Sequence, residues 1–490
     1  MKYLLGIDFG GGASKATLIG DDGKIYATHT TEYETIYSKP GFAEQNPEEW
    51  VSATIENIKG VLSKSRVDAG DIIAISLDAA THTAVIMDEN FKPIRNAIYW
   101  TDTRSTKEVE FLKENYADVI DKEVLHKPDT IWTLPELLWI KNNDKENWAN
   151  VEKILFAKDY VRHKLTGDYV TDYIEAEGSM MFDINTLKWS DELLGILGLD
   201  ASMMPEIKKP TDIVGTVTKE AELLTGLKEG TKVLCGTTDT VMEVFASGAV
   251  KKGQMTLKLA TAGRICVITD KPYPDVNLIN YSHVIDSLFY PGTATKSCAA
   301  SYRWFRDTFG GDYKELDKMA QSIPIGSDGL VFHPYLNGEL TPYANPNLCA
   351  DFVGVRASHT KAHFTRSVLE GVAMSMLDSK EALDSLNIEH DDAAVIIGGG
   401  GKSPLWRQMI SDALGIKLYE MKYADSSFGS AMLAGVAMGI FENYEDALNK
   451  CNEVISETLP NEENTKQYRK LFKKYKAVQK ALEPIYNGNY

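Results

Sequence analysis

Residues 3–20 read YLLGIDFGGGASKATLIG, which is an apolar run, a glycine turn and a second apolar run. Two apolar runs that flank a turn of three glycines are typical of paired antiparallel strands. Residues 254–270 read QMTLKLATAGRICVITD and repeat this layout, with small residues between two apolar runs. The repeat predicts two α/β units of similar design, residues 1–247 and 248–490, with a boundary near residues 247–253.

The rest of the chain alternates strand and helix signals. Asn46-Pro47 predicts the start of a helix, and DIIAISLDA (71–79) and HTAVIMD (82–88) predict strands. Amphipathic helices are expected through much of 105–210, and a long helix with Gly371 in its interior is expected at 364–383. Near the C-terminus, apolar side chains at helical spacing predict an amphipathic packing helix; they are Tyr468, Phe472, Tyr475 and Leu482.

The stretch VIIGGGGKSPLW (395–406) resembles the end of a phosphate-binding P-loop, but its spacing excludes one. A P-loop that ended at Lys402 and Ser403 would need a glycine at position 396, where the chain has Ile396. The stretch predicts a buried strand, a glycine turn, and a helix capped by Ser403 with Pro404 in its first turn. The turn either lets a flat ligand approach the backbone or only connects strand and helix, and both interpretations stay open.

Composition limits the classes of partner. The net charge of −18 argues against a nucleic-acid partner, because a phosphate backbone needs a basic surface. The five cysteines have no metal-ligand spacing, which fits a reduced, cytoplasmic setting. The sequence has no signal-peptide pattern and no apolar run of membrane-spanning length, so we expect no membrane partner.

Two acidic residues end predicted strands and are candidates for chemistry. Asp8 precedes Gly10, Gly11 and Gly12, and Lys15 lies on the next strand. A carboxylate beside a bare glycine turn suits a Mg²⁺–phosphate group, although a plain hairpin gives the same pattern. Asp239, in CGTTDTVME, can accept a proton from a substrate hydroxyl, or it can cap a helix.

Further polar residues follow predicted strands or turns. Thr261 and Gly263 form a second small-residue turn that suits a phosphate, unless it is a simple hairpin. His82 either contacts a substrate or is a satisfied histidine at the sheet edge. Asp102 either lines a polar pocket or pairs with Arg104. Together, the glycine turns and the two acids are what a phosphotransferase requires.

Longer motifs identify a family resemblance. Residues 350–372, ADFVGVRASHTKAHFTRSVLEGV, fit the C-terminal pattern of the FGGY carbohydrate kinases, including His363, Ser367 and Glu370. The N-terminal family pattern is met only in part by IWTLPELLWIKNN, in which Glu136 stands where the family usually has lysine. Within this family the chain is most similar to the xylulokinases. Three stretches resemble their sequences, namely PGFAEQNPEEW, KDYVRHKLTGDYVTDY and GGGGKSPLWRQMISDALG.

The resemblance implies an actin-like fold with two ribonuclease-H-like domains and a catalytic cleft between them. Residues 1–247 would bind the sugar and supply the base, and residues 248–490 would bind adenosine. It implies ATP and Mg²⁺ as cofactors, a sugar as the small-molecule partner, and a possible homodimer. It makes Asp239 the catalytic base and places Asp8 at Mg²⁺ through water. The residues expected to contact phosphate or nucleotide are Gly10, Gly11, Gly12, Lys15, Thr261, Gly263, Gly399, Gly400 and Gly401. Those expected to contact the sugar are Thr81, His82, Trp100, Asp102 and Thr240.

Departures from the family pattern leave the substrate open. Xylulokinases typically have Met-His-Gly where this chain has Thr81-His82-Thr83, and Asp-Asn where it has Asp239-Thr240. The turn usually written Gly-Thr-Ser-Gly is Ala-Thr-Ala-Gly here, at 260–263. We therefore expect a kinase for a ketopentose such as D-xylulose, or for ribulose, another ketose, a polyol or a sugar acid. A non-catalytic actin-like nucleotide-binding regulator is the alternative from another class.

Overall fold

The computed structural model describes residues 1–275 and 278–488 and divides into two compact units. The first unit comprises residues 1–248 and two later segments, 281–286 and 423–453. The second comprises the described residues of 249–280, 287–422 and 454–490. The functional division into a sugar-binding part and an adenosine-binding part stays a prediction.

The strands of the described chain follow in chain order. They are β1 Tyr3–Phe9, β2 Ala13–Gly20, β3 Ile25–Glu32, β4 Glu44–Gln45, β5 Ile72–Ala79, β6 Ala84–Met87, β7 Ala97–Ile98, β8 Lys153–Phe156, β9 Val170–Asp172, β10 Phe182–Asp183, β11 Lys188–Trp189, β12 Glu206–Lys208, β13 Ile213–Thr216, β14 Lys232–Leu234, β15 Thr237–Thr238, β16 Met255–Leu259, β17 Gly263–Val267, β18 Gly292–Thr295, β19 Val331–His333, β20 Asp351–Val353, β21 Ala393–Ile397, β22 Lys417–Met421 and β23 Val454–Thr458.

The α-helices are α1 Pro47–Ser65, α2 Thr106–Asn115, α3 Ala117–Glu123, α4 Thr133–Asn143, α5 Lys145–Trp148, α6 Ala157–Thr166, α7 Tyr173–Gly178, α8 Asp191–Leu197, α9 Lys219–Thr225, α10 Asp239–Ala246, α11 Ala299–Phe309, α12 Tyr313–Gln321, α13 Lys361–Ser385, α14 Pro404–Leu414, α15 Ser426–Ala437, α16 Tyr444–Cys451 and α17 Glu462–Tyr486. Short 3₁₀ turns occur at Ala69–Asp71, Ala201–Met203, Ser327–Gly329 and Gly399–Lys402. No helix among residues 1–275 and 278–488 is long and apolar enough to cross a membrane.

The sheet of the first unit has the order β13-β14-β5-β1-β2-β3, and β15 also pairs with β5. Strand β1 is antiparallel to β2 and parallel to β5, and β5 is parallel to both β14 and β15. The inward side chains of these strands, such as Leu5, Ile7 and Leu77, are fully buried. The opening sequence motif thus forms the centre of this sheet.

The second unit repeats that plan. Its sheet has the order β18-β17-β16-β21-β22-β23, with β16 antiparallel to β17 and parallel to β21. Strand β21 is in turn parallel to β22. In both sheets, the central strand is followed on one side by two strands that are joined in antiparallel pairs, and on the other by two strands that run parallel to it. This confirms the predicted α/β class and the predicted pair of ribonuclease-H-like domains.

Several predicted elements are also confirmed. Helix α1 begins at Pro47, and the Asn46 side chain accepts a hydrogen bond from Glu48 N. Helix α13 spans the predicted long helix, and a Cβ at Gly371 would lie 2.3 Å from the carbonyl oxygen of Phe332. Helix α17 buries the predicted aromatic residues and leaves Leu482 half-buried. The glycine inside α13 therefore permits close packing against β19.

Helix α15, from the C-terminal half of the sequence, packs directly on β1. At Gly6 a Cβ would lie 1.9 Å from the carbonyl oxygen of Ser427 and 2.4 Å from the Ala431 nitrogen. Both atoms belong to helix backbone, so neither can move aside independently of α15. Glycine at position 6 is therefore what allows α15 to pack against the sheet.

We expect Gly6→Ala to lower the free energy of unfolding by about 1–3 kcal/mol or more, because the added methyl group overlaps helix backbone. Gly12→Ala is the matched control in the same hairpin, since a Cβ there meets nothing within 4 Å. The control should change stability by no more than about 0.5 kcal/mol. Chemical unfolding of both variants measures the difference, and equal stabilities would contradict this packing.

Candidate active site

Three aspartates lie at one edge of the first sheet, at the carboxyl ends of neighbouring parallel strands. Asp8 on β1 is directly opposite Asp78 on β5. Strand β15 pairs with β5 at Asp78, and Asp239 follows it as the first residue of α10. Ligands of α/β proteins commonly bind at this edge of the sheet. The structure thus brings the two predicted acids, Asp8 and Asp239, to the same place.

Asp8 and Asp78 form a hydrogen-bonded carboxyl pair that holds a proton. Burial, together with the negative charges of Asp239 and Asp425, raises the pKa of Asp8 to about 7. Burial also holds the pKa of Asp78 well above its usual range, with the Asp8 charge as the next cause. The Ser430 hydroxyl donates to Asp78 and opposes this shift. Two carboxyl groups held this close together favour a bound cation, because it would offset their mutual repulsion.

The pair suits a hard divalent cation such as the expected Mg²⁺. One buried oxygen of Asp8 and one of Asp78 receive no hydrogen bond from an amide, hydroxyl or cationic group. Carboxylate oxygens are the ligands that Mg²⁺ prefers, and it usually keeps several waters. Within the described residues no three acidic, histidine or cysteine side chains form a complete metal site. The residues therefore fit a metal ion that is also held by phosphate and water.

The glycine turn beside Asp8 is fixed by hydrogen bonds to its carbonyl oxygens. The carbonyl oxygens of Gly10, Gly11 and Gly12 accept hydrogen bonds from Tyr33 Oη, Gln45 Nε2 and Tyr33 N, respectively. A Cβ at Gly11 would lie 2.6 Å from Tyr99 Oη, so a larger residue here would have to displace the Tyr99 side chain. Gly11 and Gly12 are exposed. An anion can therefore approach the outer face of this turn.

Lys15 lies across the β-hairpin from Asp8 and is about one-third exposed. Its ammonium group is 3.2 Å from the Asp425 carboxylate, at the start of α15. The sequence analysis did not predict this partner. The expected contact of Lys15 with phosphate stays a prediction.

Asp239 is not the N-cap of its helix. The cap position is Thr238, and Asp239 begins α10 in helical conformation. The Thr240 hydroxyl lies 3.1 Å from Asp239 Oδ1 and donates to it. Thr240 therefore limits rotation of the carboxylate. The alternative that Asp239 caps the helix is wrong, because the cap position is Thr238.

His82 is fixed by hydrogen bonds on its backbone and its ring. Its φ angle of 76° is left-handed, and its N–H donates to the buried Glu175 Oε1 at 2.9 Å. Its carbonyl accepts from Thr133 Oγ1 at 2.7 Å, and its Nδ1 is 3.1 Å from the Gly178 carbonyl oxygen. A left-handed non-glycine residue held on both sides is typical of a functional position. Thr81 is buried beside it, next to Gly178.

Asp102 and Trp100 differ in what they offer a ligand. Both oxygens of Asp102 accept from the Arg104 guanidinium, and Oδ2 also accepts from Ala43 N at 2.6 Å. Only 1 % of each side chain of the ion pair is exposed. Asp102 therefore holds Arg104 in place, and its expected contact with the substrate stays a prediction. The Trp100 side chain is exposed and is accessible to a ligand.

In the second unit, the turn after β16 presents Thr261 but not Gly263. Thr261 is exposed, and its carbonyl oxygen accepts from Cys298 N at 2.9 Å, just before α11. Gly263 is buried, donates its N–H to Thr295 Oγ1, and has room for no Cβ because Met376 Sδ would be 2.8 Å away. The amide of Gly263 is thus used inside the protein, and its expected phosphate contact stays a prediction.

The glycines of the stretch that resembles a P-loop, residues 399–401, divide into two groups. Gly400 and Gly401 are buried, and a Cβ at Gly400 would lie 2.9 Å from both Leu259 and Trp406. A Cβ at Gly399 meets nothing within 4 Å, and this residue is exposed. Gly399 is therefore open to a ligand, whereas Gly400 and Gly401 shape the turn. Ser403 caps α14 through Trp406 N, as the sequence predicts.

The sequence analysis missed Asp78, Glu175 and the α15 residue Ser430. Asp78 had a usable signal, since it is an aspartate at the end of the apolar run DIIAISLDA. Glu175 and Ser430 had no such signal, because their roles depend on contacts with residues far away in sequence.

Comparisons with known proteins place the chain in one family. The models of the FGGY family of carbohydrate kinases match residues 3–246 with the N-terminal domain and residues 267–438 with the C-terminal domain. A xylulose kinase of Bacillus subtilis is 32 % identical over 98 % of this chain and 97 % of its own length. Solved structures of a xylulose kinase and a gluconate kinase from Lactobacillus acidophilus superpose with TM-scores of 0.94 and 0.93, at 27 % and 28 % identity. Each alignment covers the whole of both chains.

The carboxyl pair makes stability depend on pH in a defined direction. The folded protein keeps protons on Asp8 and Asp78 at pH values at which the unfolded chain has lost them. Raising the pH from about 4 to about 7 should therefore lower the free energy of unfolding, by at most about 1.4 kcal/mol per pH unit for each group. Asp78→Asn removes one of these groups and should reduce the loss.

Chemical unfolding at pH 5 and pH 7 tests this expectation on the wild type and Asp78→Asn. The exposed Asp118→Asn is the control, and it should keep the wild-type difference between the two pH values. If Asp78→Asn also keeps that difference, the buried pair does not hold a proton.

Proposed function

Because the chain belongs to the FGGY family of carbohydrate kinases, we propose that it transfers the γ-phosphoryl group of ATP to a hydroxyl of a ketopentose such as D-xylulose, or of a related polyol. The meeting of Asp8, Asp78 and Asp239 beside a glycine turn carries this proposal. Asp8 and Asp78 would supply carboxylates for the metal ion near the phosphates, and Asp239 would supply a separate base for the acceptor hydroxyl.

In the proposed reaction Asp239 accepts the proton of the attacking hydroxyl. Phosphoryl transfer requires little covalent chemistry from the protein, so positioning and charge account for most of the rate. The hydrogen bond from Thr240 keeps one carboxylate oxygen in a fixed direction. Asp239 follows directly after β15, so the rigid sheet sets its position relative to Asp8 and Asp78.

The phosphate groups would lie against the exposed amides of Gly11 and Gly12, with Lys15 nearby. Asp8 and Asp78 would hold Mg²⁺ through water, and the bound ion would neutralise charge on the phosphates. In the second unit, Thr261 and Gly399 are exposed and lie in the two turns that are expected to contact the nucleotide. These assignments rest on exposure, on backbone geometry and on family resemblance.

Two acidic side chains lie near His82. Glu175 accepts the His82 N–H, and Glu177, the residue before Gly178, is buried. Burial raises the pKa of Glu175 well above its usual range and that of Glu177 to about 8, so their charge does not decide between a neutral sugar and a sugar acid. Thr81, Thr240 and Trp100 are the proposed residues around the sugar. Cytoplasmic location and a homodimer stay predictions.

The role of Asp239 is tested by Asp239→Asn. Asparagine keeps the shape of the side chain but cannot accept the proton, so turnover should fall by about 10²-fold or more. Binding of ATP and of the sugar, measured by calorimetry, should stay close to wild type. Near-normal turnover in the folded variant would remove Asp239 from the role of base.

The substrate is tested with a panel of D-xylulose, D-ribulose, other ketoses, tetritols and D-gluconate. Thr81 and Thr240 are shorter than the methionine and asparagine typical of xylulokinases, and each presents a single hydroxyl. We therefore expect that D-xylulose is not clearly preferred in kcat/KM, and that Thr81→Met with Thr240→Asn shifts preference toward it. A large preference of the wild type for D-xylulose would contradict this expectation. ATP turnover that no acceptor stimulates would favour the nucleotide-binding regulator.

A further inference from the structure

A cluster of charged side chains is buried inside the first unit. Lys158, Asp159 and Arg162 on α6 and Asp172 at the end of β9 have none of their side-chain surface exposed. Lys158 Nζ lies 2.6 Å from Asp159 Oδ1 and 2.9 Å from Asp172 Oδ1, and Arg162 Nη1 lies 2.8 Å from Asp159 Oδ1. A buried ion pair adds little net stability, because each charge loses its hydration. Stability alone therefore does not account for this cluster.

The cluster contacts the segment that leads to Asp239 at two points. Thr237 Oγ1 donates to Asp172 Oδ2 at 2.8 Å, and both side chains are fully buried. The Arg162 guanidinium donates to the carbonyl oxygen of Cys235, two residues before Thr237. Thr237 lies on β15, and Asp239 begins α10 two residues later. The cluster therefore holds the last residues before the proposed base.

The Asp172 carboxylate is itself held in place. Its Oδ2 accepts from the amides of Ile174 at 3.0 Å and Glu175 at 3.4 Å, at the start of α7. Its Oδ1 lies beside the ammonium group of Lys158. A carboxylate with contacts on both oxygens has little freedom to rotate. Thr237 therefore donates to an acceptor whose position the fold sets.

We propose that Thr237 is a positioning residue for Asp239, and that the buried charges around Asp172 fix the acceptor of its hydroxyl. The inference rests on the proposed function and goes beyond it, because Thr237 acts on the reaction only through Asp239. A base that takes a proton from the attacking hydroxyl must be held within about 0.5 Å of its productive position. The hydrogen bond from Thr237 to Asp172 sets where β15 ends and therefore where Asp239 begins.

The first test compares Thr237→Val, which removes the hydroxyl and keeps the shape, with Thr237→Ser, which keeps the hydroxyl. For Thr237→Val we expect kcat to fall by about tenfold, with the KM of sugar and ATP within about twofold, because a misplaced base slows transfer and not binding. Thr237→Ser should keep kcat within about threefold of the wild type. Thr237→Ala removes the same hydroxyl and should behave like Thr237→Val, so the test does not depend on how valine packs.

Thr171→Val is the matched control. Thr171 precedes Asp172 on β9 and is also fully buried, and its hydroxyl has no hydrogen-bond partner within the part of the chain that the structure describes. Thr171→Val should therefore keep kcat and both KM values within about twofold. An unchanged kcat in Thr237→Val, or an equal loss in Thr171→Val, would overturn the inference.

A double variant shows whether Thr237 acts through Asp239. Asp239→Asn alone removes the base, so its exact position no longer affects the rate. We therefore expect Thr237→Val to leave the residual kcat of Asp239→Asn within about twofold, although it lowers the kcat of the wild type by about tenfold. Equal losses in the two backgrounds would overturn the inference. A wild type that phosphorylates no acceptor, or normal turnover in Asp239→Asn, would refute the proposed function instead.

The last test needs no activity. Hydrogen exchange followed by mass spectrometry reports on the amides of residues 236–242 in each variant. Thr237→Val should speed their exchange by about fivefold or more, whereas Thr237→Ser and Thr171→Val should stay within about twofold of the wild type. Unchanged exchange in Thr237→Val would overturn the inference, because the hydrogen bond would then not hold the segment before Asp239.

Discussion

The register of β1 against β5 sets Asp8 directly opposite Asp78, and the other side of β5 carries β15, which ends one residue before Asp239. Two buried carboxyls side by side repel unless a proton or a cation lies between them, so this register creates a place for positive charge. The glycine turn that follows β1 adds exposed amides at the same edge. The proposed chemistry of the first unit therefore depends on how three strands align, and the loops only complete it.

The repeated strand-turn-strand motif was enough to predict the class of both units. Alternating apolar residues identify β1, β2, β16 and β17 because each has one face in a core. The helix signals at Asn46-Pro47 and Ser403-Pro404 were equally local, since capping involves only neighbouring residues. The P-loop question was also settled by spacing, and the structure shows a capped helix after a packed glycine turn.

Long-range contacts were not predictable in the same way. The packing of α15 on Gly6, the pairing of Lys15 with Asp425, and the hydrogen bond of Ser430 to Asp78 each join residues hundreds of positions apart. No local pattern in the sequence reports such a contact. For this reason the burial of Asp102 and Gly263 was not predicted, although both were expected to contact ligands. Their burial and hydrogen bonds could be known only from the fold.

The central claim is that the γ-phosphoryl group of ATP is transferred to a sugar hydroxyl whose proton Asp239 accepts. The most direct measurement is the stoichiometry of ADP and sugar monophosphate formed with Mg²⁺–ATP, with and without an acceptor sugar. The account predicts one sugar monophosphate for each ADP, and ADP formation that is nearly abolished when the acceptor is omitted. ADP formed at the same rate without acceptor, and with no phosphorylated sugar, would contradict it.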